Sequence, residues 1–248
     1  MKKELLNLYR CLDLTTLNST DNSVSILKLV NWAKLQEKNG HIVASICTFP
    51  NFTFLVNDHL QDSQIKTTAV SASFPASQSF LKVKKLETKM ALEAGADEID
   101  IVMNLGLFFE NNFDEVKREI QQLKAIVGDK CLKVILETGE LKSKENIQLA
   151  AQLAIESGAD FIKTSTGKST IGATTEAVAT MCEVIHAHYK TTGKKVGLKI
   201  SGGVRTFEQA LEYQEIVLKQ LGQEWLQPSL FRIGASSLAT NLIELLEE

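Results

Sequence analysis

Cysteine and histidine are too few and too scattered in this sequence to build anything covalent or metallic. The four cysteines, Cys11, Cys47, Cys131 and Cys182, lie far apart and form no CxxC pair. That spacing excludes a disulfide scaffold, a zinc ribbon and a dithiol redox motif, and leaves reduced, mostly buried thiols. His186 and His188 stand two apart in a helical stretch, where side chains point in different directions, and no HxxxH pair exists. No metal and no other cofactor is expected. Only three prolines occur in 248 residues, and no apolar run approaches the length of a membrane span. The N-terminal MKKELLNLYR is amphipathic and lacks the apolar core of a signal peptide, so no membrane association and a cytoplasmic location are expected. Nor is there an excess of one charge. A formal net charge of -3 gives no general attraction to nucleic acid or anionic lipid, and any anion site has to be local.

What the chain does have is hydrophobic content, 44%, in a length that suits one large core. Apolar, β-branched runs recur about every thirty residues with helical stretches between them, the alternation of parallel βα units. Eight strands are predicted, over 11–16, 41–48, 66–72, 97–103, 131–137, 159–164, 196–201 and 230–234. Helical spacing is read over Phe80–Glu93, Phe113–Val127, Lys144–Ser157, Thr175–Tyr189 and Thr206–Leu221. In the first of these, Val83, Leu86 and Met90 form the expected buried line. Glu93-Ala-Gly-Ala-Asp97 and Glu156-Ser-Gly-Ala-Asp160 repeat one pattern, a helix stopped by glycine and leading into a strand. Eight such units fit a single (β/α)8 barrel spanning 1–248, whereas an open doubly wound sheet uses fewer strands.

The stretch Ala159–Lys168, ADFIKTSTGK, puts a lysine inside what otherwise reads as a buried strand. The bland reading of Lys163 is a strand-end side chain whose head reaches water. The alternatives are an ion pair or a pKa pushed down, and the last makes an amine nucleophile. Alternation puts Asp100 of strand four and Lys199 of strand seven on inward faces, so Asp100, Lys163 and Lys199 are expected to converge at the mouth formed by the C-terminal strand ends. One lysine with one aspartate is simply an ion pair. A second lysine leaves unbalanced positive charge, which favours loss of a proton from one of them.

Three small turns follow consecutive strands: Thr164–Lys168, Ser201–Gly203 and Gly234–Ser237. Each can offer backbone N–H groups, and barrels often bind phosphate after strands seven and eight, so a phosphorylated substrate is expected. The string TGKST also resembles half of a nucleotide-binding P-loop. That pattern requires glycine at position 162, which is Ile162 within a strand. A different phosphosugar barrel enzyme, a sugar-phosphate sensor and a nucleotide-binding module remain as alternatives.

At these residues the chain resembles the deoxyribose-phosphate aldolase family of metal-independent class I aldolases. The resemblance runs nearly end to end, through LDLTTLN (Leu12–Asn18), GADEIDIV (Gly95–Val102), ETGELK (Glu137–Lys142), GADFIKTSTGK (Gly158–Lys168), GLKISGGVRT (Gly197–Thr206) and RIGASSL (Arg232–Leu238). It implies reversible cleavage of 2-deoxy-D-ribose 5-phosphate to D-glyceraldehyde 3-phosphate and acetaldehyde, in deoxyribose phosphate catabolism. By the same resemblance Lys163 forms the Schiff base, Lys199 lowers its pKa and Asp100 is the acid/base. Gly167, Lys168, Gly202, Gly203, Ser236 and Ser237 hold the phosphate, Thr166 lies near the substrate hydroxyls, Asp13 is a supporting member, and a homodimer is implied. Two stretches depart from the family. The sequence ends Leu245-Leu-Glu-Glu248 where some members have a tail ending in tyrosine, so tail-assisted proton transfer is not expected. After strand three SFPASQ (Ser73–Gln78) replaces a glycine-containing turn, so a differently shaped loop is expected.

Overall fold

Short β-branched runs alternate with longer helical ones along the chain, and in the computed structural model, which describes residues 2–247, they assemble as eight parallel strands closed on themselves in sequence order. The strands are β1 (Leu12–Thr15), β2 (Ser45–Thr48), β3 (Lys66–Val70), β4 (Glu98–Val102), β5 (Cys131–Ile135), β6 (Phe161–Lys163), β7 (Gly197–Ser201) and β8 (Phe231–Ala235). Pairing of β1 with β8, Asp13 opposite Gly234, closes the ring. The helices are α1 (Lys2–Arg10), α2 (Ser23–Lys38), α3 (Thr53–His59), α4 (Leu81–Glu93), α5 (Leu105–Phe109), α6 (Phe113–Val127), α7 (Thr138–Leu141), α8 (Lys144–Glu156), α9 (Thr175–Thr192), α10 (Phe207–Leu221) and α11 (Ser237–Glu247). The (β/α)8 barrel expected from the sequence is the fold observed. No described helix is long and apolar enough to cross a membrane.

Local chemistry sets the element ends. Asn22 and Thr206 form capping boxes at the starts of α2 and α10, and Ser143 and Thr174 cap α8 and α9 with their hydroxyls. Gly193, at φ 71°, ends α9 in the left-handed conformation. The five helices read from periodicity are present within three residues at each end, whereas the structure adds α1, α2, α3, α5, α7 and α11.

The core lies between strands and helices. Ile99, Ile101, Ile162, Leu198, Ile200 and Ile233 are buried among helix residues such as Ile120, Ala150, Ile185 and Val217. Inward-facing positions tell a different story: where most barrels stack branched aliphatic side chains, this one carries Asp13, Glu98, Asp100, Lys133, Lys163, Lys199 and Arg232, all buried.

One expectation fails in α4. Val83, Leu86 and Met90 are 48%, 58% and 59% exposed, while Lys84, Thr88 and Ala91 face inward. The helix is rotated relative to the expected orientation because Lys84 carries its own partners into the interior, donating to Glu119 Oε2 of α6 at 2.8 Å and to Ser77 Oγ at 3.0 Å. A lysine satisfied in this way can lie beneath the helix, and the apolar stripe turns outward.

Candidate active site

Register partners on neighbouring parallel strands point to the same face of the sheet and lie side by side. Lys163 is paired in register with Lys199 across β6 and β7, and Asp100 with Lys133 across β4 and β5. The three residues expected to converge do so. Asp100 Oδ2 accepts from Lys163 Nζ at 2.9 Å and from Lys199 Nζ at 2.7 Å.

Their depth differs from the expectation. Only Lys163 stands at a strand end, while Asp100 and Lys199 are central in β4 and β7 and have no exposed surface. Of the three, only Lys163 lines the pocket at the barrel mouth. The pair is therefore stacked, one amine at the floor of the pocket and the other beneath it.

Below them is an ion-pair lattice. Lys199 lies 2.5 Å from Asp13 Oδ2, Arg232 reaches Asp13 Oδ1 at 2.5 Å and Glu98 Oε1 at 2.7 Å, and Lys133 bridges Glu98 at 2.6 Å and Asp100 at 3.0 Å. Buried charges of this kind persist only when paired and hydrogen-bonded. Four buried cations, Lys133, Lys163, Lys199 and Arg232, face three buried carboxylates, Asp13, Glu98 and Asp100. The cations outnumber the carboxylates by one, which favours the neutral form of one amine.

Lys163 is the one. Burial pushes its pKa down, Asp100 pulls it back up, and Lys199 pushes it down again, leaving it below the usual lysine range. Burial is thus the larger cause, with the second lysine assisting. Lys199 and Lys133 are buried too, yet each faces two or more carboxylates that outweigh burial and hold it above that range. Burial raises the carboxyls, but the surrounding cations prevail: Asp13 and Asp100 are held well below the carboxylate range, and Glu98 is lowered to about 2.

The pocket above Lys163 has a volume of about 230 Å³ and is lined by Thr166, Gly167, Lys168, Gly202, Gly203, Ser236 and Ser237, the residues that the resemblance assigns to the phosphate and the substrate hydroxyls. Thr15, Leu17, Ser201 and Arg205 join them. Gly202 has φ 88°, and a Cβ there would come within 2.9 Å of Gly172 Cα, so the β7 turn can approach the β6 loop only as glycine. At Gly234 a Cβ would stand 3.2 Å from Lys199 Cε, so its absence leaves room for the buried lysine stem. Ser236 and Ser237 sit at the start of α11, where free amides and the helix dipole favour an anion. Lys168 Nζ donates across the mouth to the Leu17 carbonyl. A larger groove, about 590 Å³, lies on the outer wall between α8 and α9 and touches none of these residues.

Four residues were missed in the sequence. Lys133 and Arg232 interrupt apolar strands as Lys163 does, and the same rule applied to β5 and β8 finds them. Arg205 carries no signal beyond its place after a glycine turn. Glu137, in the left-handed conformation at φ 55°, accepts from the Thr166 amide at 3.1 Å, from the Thr166 hydroxyl and from Ser169 Oγ at 3.0 Å. It braces the loop after β6 from below, and only the fold brings it there.

Fold and site together define the class: a (β/α)8-barrel enzyme with a buried amine beneath an anion-suited pocket at the C-terminal strand ends. The chain belongs to the DeoC/LacD aldolase family, whose model, described as DeoC/LacD family aldolase, matches residues 9–238. It is an aldolase, a carbon–carbon lyase. It is 38% identical over 251 residues to a human protein named deoxyribose-phosphate aldolase, covering 96% of this chain and 79% of the human one. A bovine protein of the same name is 37% identical with the same coverage. Among solved structures, one described as the unique tetrameric structure of deoxyribose phosphate aldolase from Aeropyrum pernix superposes with a TM-score of 0.76 at 26% identity, covering all of this chain and 97% of its own.

Proposed function

We propose that the protein reversibly cleaves 2-deoxy-D-ribose 5-phosphate to D-glyceraldehyde 3-phosphate and acetaldehyde through a Schiff base on Lys163, within cytoplasmic deoxyribose phosphate catabolism. The observation that carries this reading is the position of Lys163, a buried amine of lowered pKa at the floor of the pocket and 2.9 Å from Asp100. Support for the substrate comes from the names of the relatives and from the anion-suited turns around that pocket.

In this reading the neutral Lys163 amine attacks C1 of the open-chain sugar, and loss of water gives an iminium. The iminium restores the fourth positive charge to an interior holding three carboxylates. That surplus makes the nitrogen an electron sink. Loss of the C3 hydroxyl proton breaks the C2–C3 bond, the electron pair moves into the iminium to form an enamine, and D-glyceraldehyde 3-phosphate departs. Protonation at C2 and hydrolysis release acetaldehyde and the free amine. Asp100 handles the protons, Lys199 and Lys133 keep it ionised, and Asp13 holds Lys199. Gly167, Lys168, Gly202, Gly203, Ser236 and Ser237 hold the phosphate, with Thr166 at the hydroxyls. A homodimer belongs to the same reading.

The test is release of acetaldehyde from 2-deoxyribose 5-phosphate by the purified chain. Turnover that disappears in Lys163→Leu is expected. Tight sugar-phosphate binding with no acetaldehyde would contradict the proposal and leave a sensor, and stabilisation by ATP alone would leave a nucleotide module.

A further inference from the structure

A second apolar cluster, separate from the core between strands and helices, stands beside the pocket. Leu17, Cys47 and Val70 are buried together there, and Phe49 and Phe74 pack against them with their rings edge to face, 6.2 Å between centroids. Register fixes the place of the cluster. Val70 is paired with Asp100 across β3 and β4, and Cys47 with Thr15 across β2 and β1, so both side chains share the inner face with the catalytic carboxylate. Leu17 and Thr15 line the pocket itself. The pocket therefore has two unlike sides, the small polar turns after β6, β7 and β8 and an apolar wall from the β1 to β3 side.

The wall is held from outside the barrel. Phe74 lies in the loop after β3, and that loop is tied to α4 at three points. Glu87 Oε2 accepts from the Ser73 amide at 2.7 Å, Lys84 donates to Ser77 Oγ at 3.0 Å, and the Ser71 and Thr88 hydroxyls share a hydrogen bond of 3.0 Å. The inward polar stripe of α4 thus anchors the segment that carries Phe74.

We infer that Leu17, Cys47, Val70 and Phe74 set the donor specificity of the site: they pack against C2 of the substrate and discriminate against a hydroxyl there. The inference rests on the aldol cleavage proposed above, in which Asp100 handles the proton that C2 receives. A carbon within reach of that carboxylate lies beside Val70, its register partner. With the phosphate at the turns after β6 to β8, the wall is left to the unphosphorylated end. A C2 hydroxyl would meet hydrocarbon and a thiol, which is a weak hydrogen-bonding partner. Two polar groups on that side are already engaged: Thr15 Oγ1 donates to the Asp13 carbonyl at 2.7 Å, and Asp100 accepts from Lys163, Lys199 and Lys133. The hydroxyl gives up water without gaining a partner, and an apolar pocket rejects such an addition by about a hundredfold.

Cleavage of 2-deoxy-D-ribose 5-phosphate, D-ribose 5-phosphate and D-arabinose 5-phosphate, followed through their common product D-glyceraldehyde 3-phosphate, tests it. The last two carry the C2 hydroxyl in its two configurations. In each the same C2–C3 bond breaks, C2 takes up a proton, and glycolaldehyde leaves in place of acetaldehyde. The wild type is expected to favour the deoxy sugar by about a hundredfold in kcat/KM. Val70→Thr, which puts a hydroxyl where a methyl stood, is expected to lower that ratio about five- to tenfold for one of the two hydroxy sugars, the effect of one hydrogen bond, whatever it does to the absolute rates. Circular dichroism checks folding, and should Val70→Thr misfold, Phe74→Ala, which admits water to the wall, makes the same comparison. Equal rates on all three sugars, or a ratio that neither variant lowers, would overturn the inference and leave the aldolase reading standing. Failure to cleave any of the three would instead sink that reading, and the inference with it.

Discussion

At the residue scale, chemistry turns on which of several buried amines is free to lose a proton. Lys163 has the shallowest position and a single carboxylate contact, whereas Lys199 and Lys133 have two or more each. Its lowered pKa fixes the sign of the pH dependence. The neutral, reactive form fills as pH rises through the lowered value, so the acid limb of kcat/KM falls below the ordinary lysine value of about 10.4. Stability gains over the same window, because the folded protein releases this proton before the unfolded chain does. Replacing Lys199 with methionine removes a cation that pushes Lys163 down and leaves Asp100 to Lys163 and Lys133. The acid limb is then expected to move to higher pH, with activity at neutral pH reduced by up to about tenfold for a shift of one unit. A limb that stays in place would show that Lys199 does not tune Lys163.

Glu137 supplies a second prediction at this scale. Removing its carboxylate in Glu137→Ala frees the Thr166 amide, the Thr166 hydroxyl and Ser169. Each hydrogen bond to a charged group contributes about 1.5–3 kcal/mol, so KM for the phosphorylated sugar is expected to rise at least tenfold. Glutamine, which keeps an acceptor, is expected to recover part of it, and unphosphorylated deoxyribose is expected to be affected less. Equal losses for both sugars would point to general damage.

At the element scale, strands were more legible than helices. Alternation along a strand fixes which side chains share a face, so all eight strands and the convergence of Asp100 with Lys163 and Lys199 follow from sequence. Depth along the barrel axis does not follow, which is why Asp100 and Lys199 were expected at the mouth and lie beneath it. Helical periodicity identifies a face without saying which side it turns to. In α4 an apolar stripe and the Lys84, Thr88, Ala91 stripe compete, and the long-range partner Glu119 decides. Glu137 shows the same limit, since its partners lie 29 and 32 residues on in the chain. The repeated EAGAD and ESGAD patterns do have a structural counterpart. Gly95 and Gly158 take positive φ after α4 and α8, and Asp97 and Asp160 accept the amides of Thr67 and Leu132 on the preceding strands. Lys84 makes the element-scale prediction. Lys84→Met strands a buried Glu119 carboxylate and is expected to destabilise by about 3–5 kcal/mol. Adding Glu119→Leu is expected to restore most of that in thermal unfolding, and a double variant no better than the single would contradict it.

At the scale of the whole molecule, the barrel is held from within by charge rather than by aliphatic layers. Asp13, Glu98 and Asp100 all have folded-state pKa values below their unfolded ones. Their contribution is therefore complete above the ordinary carboxylate range and is lost as pH falls through the folded values. For Glu98 that window runs from 4.5 down to about 2. Denaturant midpoints are expected to be steady between pH 6 and 5 and to drop steeply below about 4, well beyond the change that surface pairs give. A midpoint insensitive to acid would mean that the lattice contributes little.

The same lattice leaves one amine with a single, shared carboxylate and exposes it to the pocket. Treating the protein with acetaldehyde and borohydride, then mapping the peptides by mass spectrometry, tests that claim most directly. An ethyl adduct on Lys163, absent from Lys199 and Lys133, is the expected result. A label on either of the deeper lysines, or none on Lys163, would contradict the account.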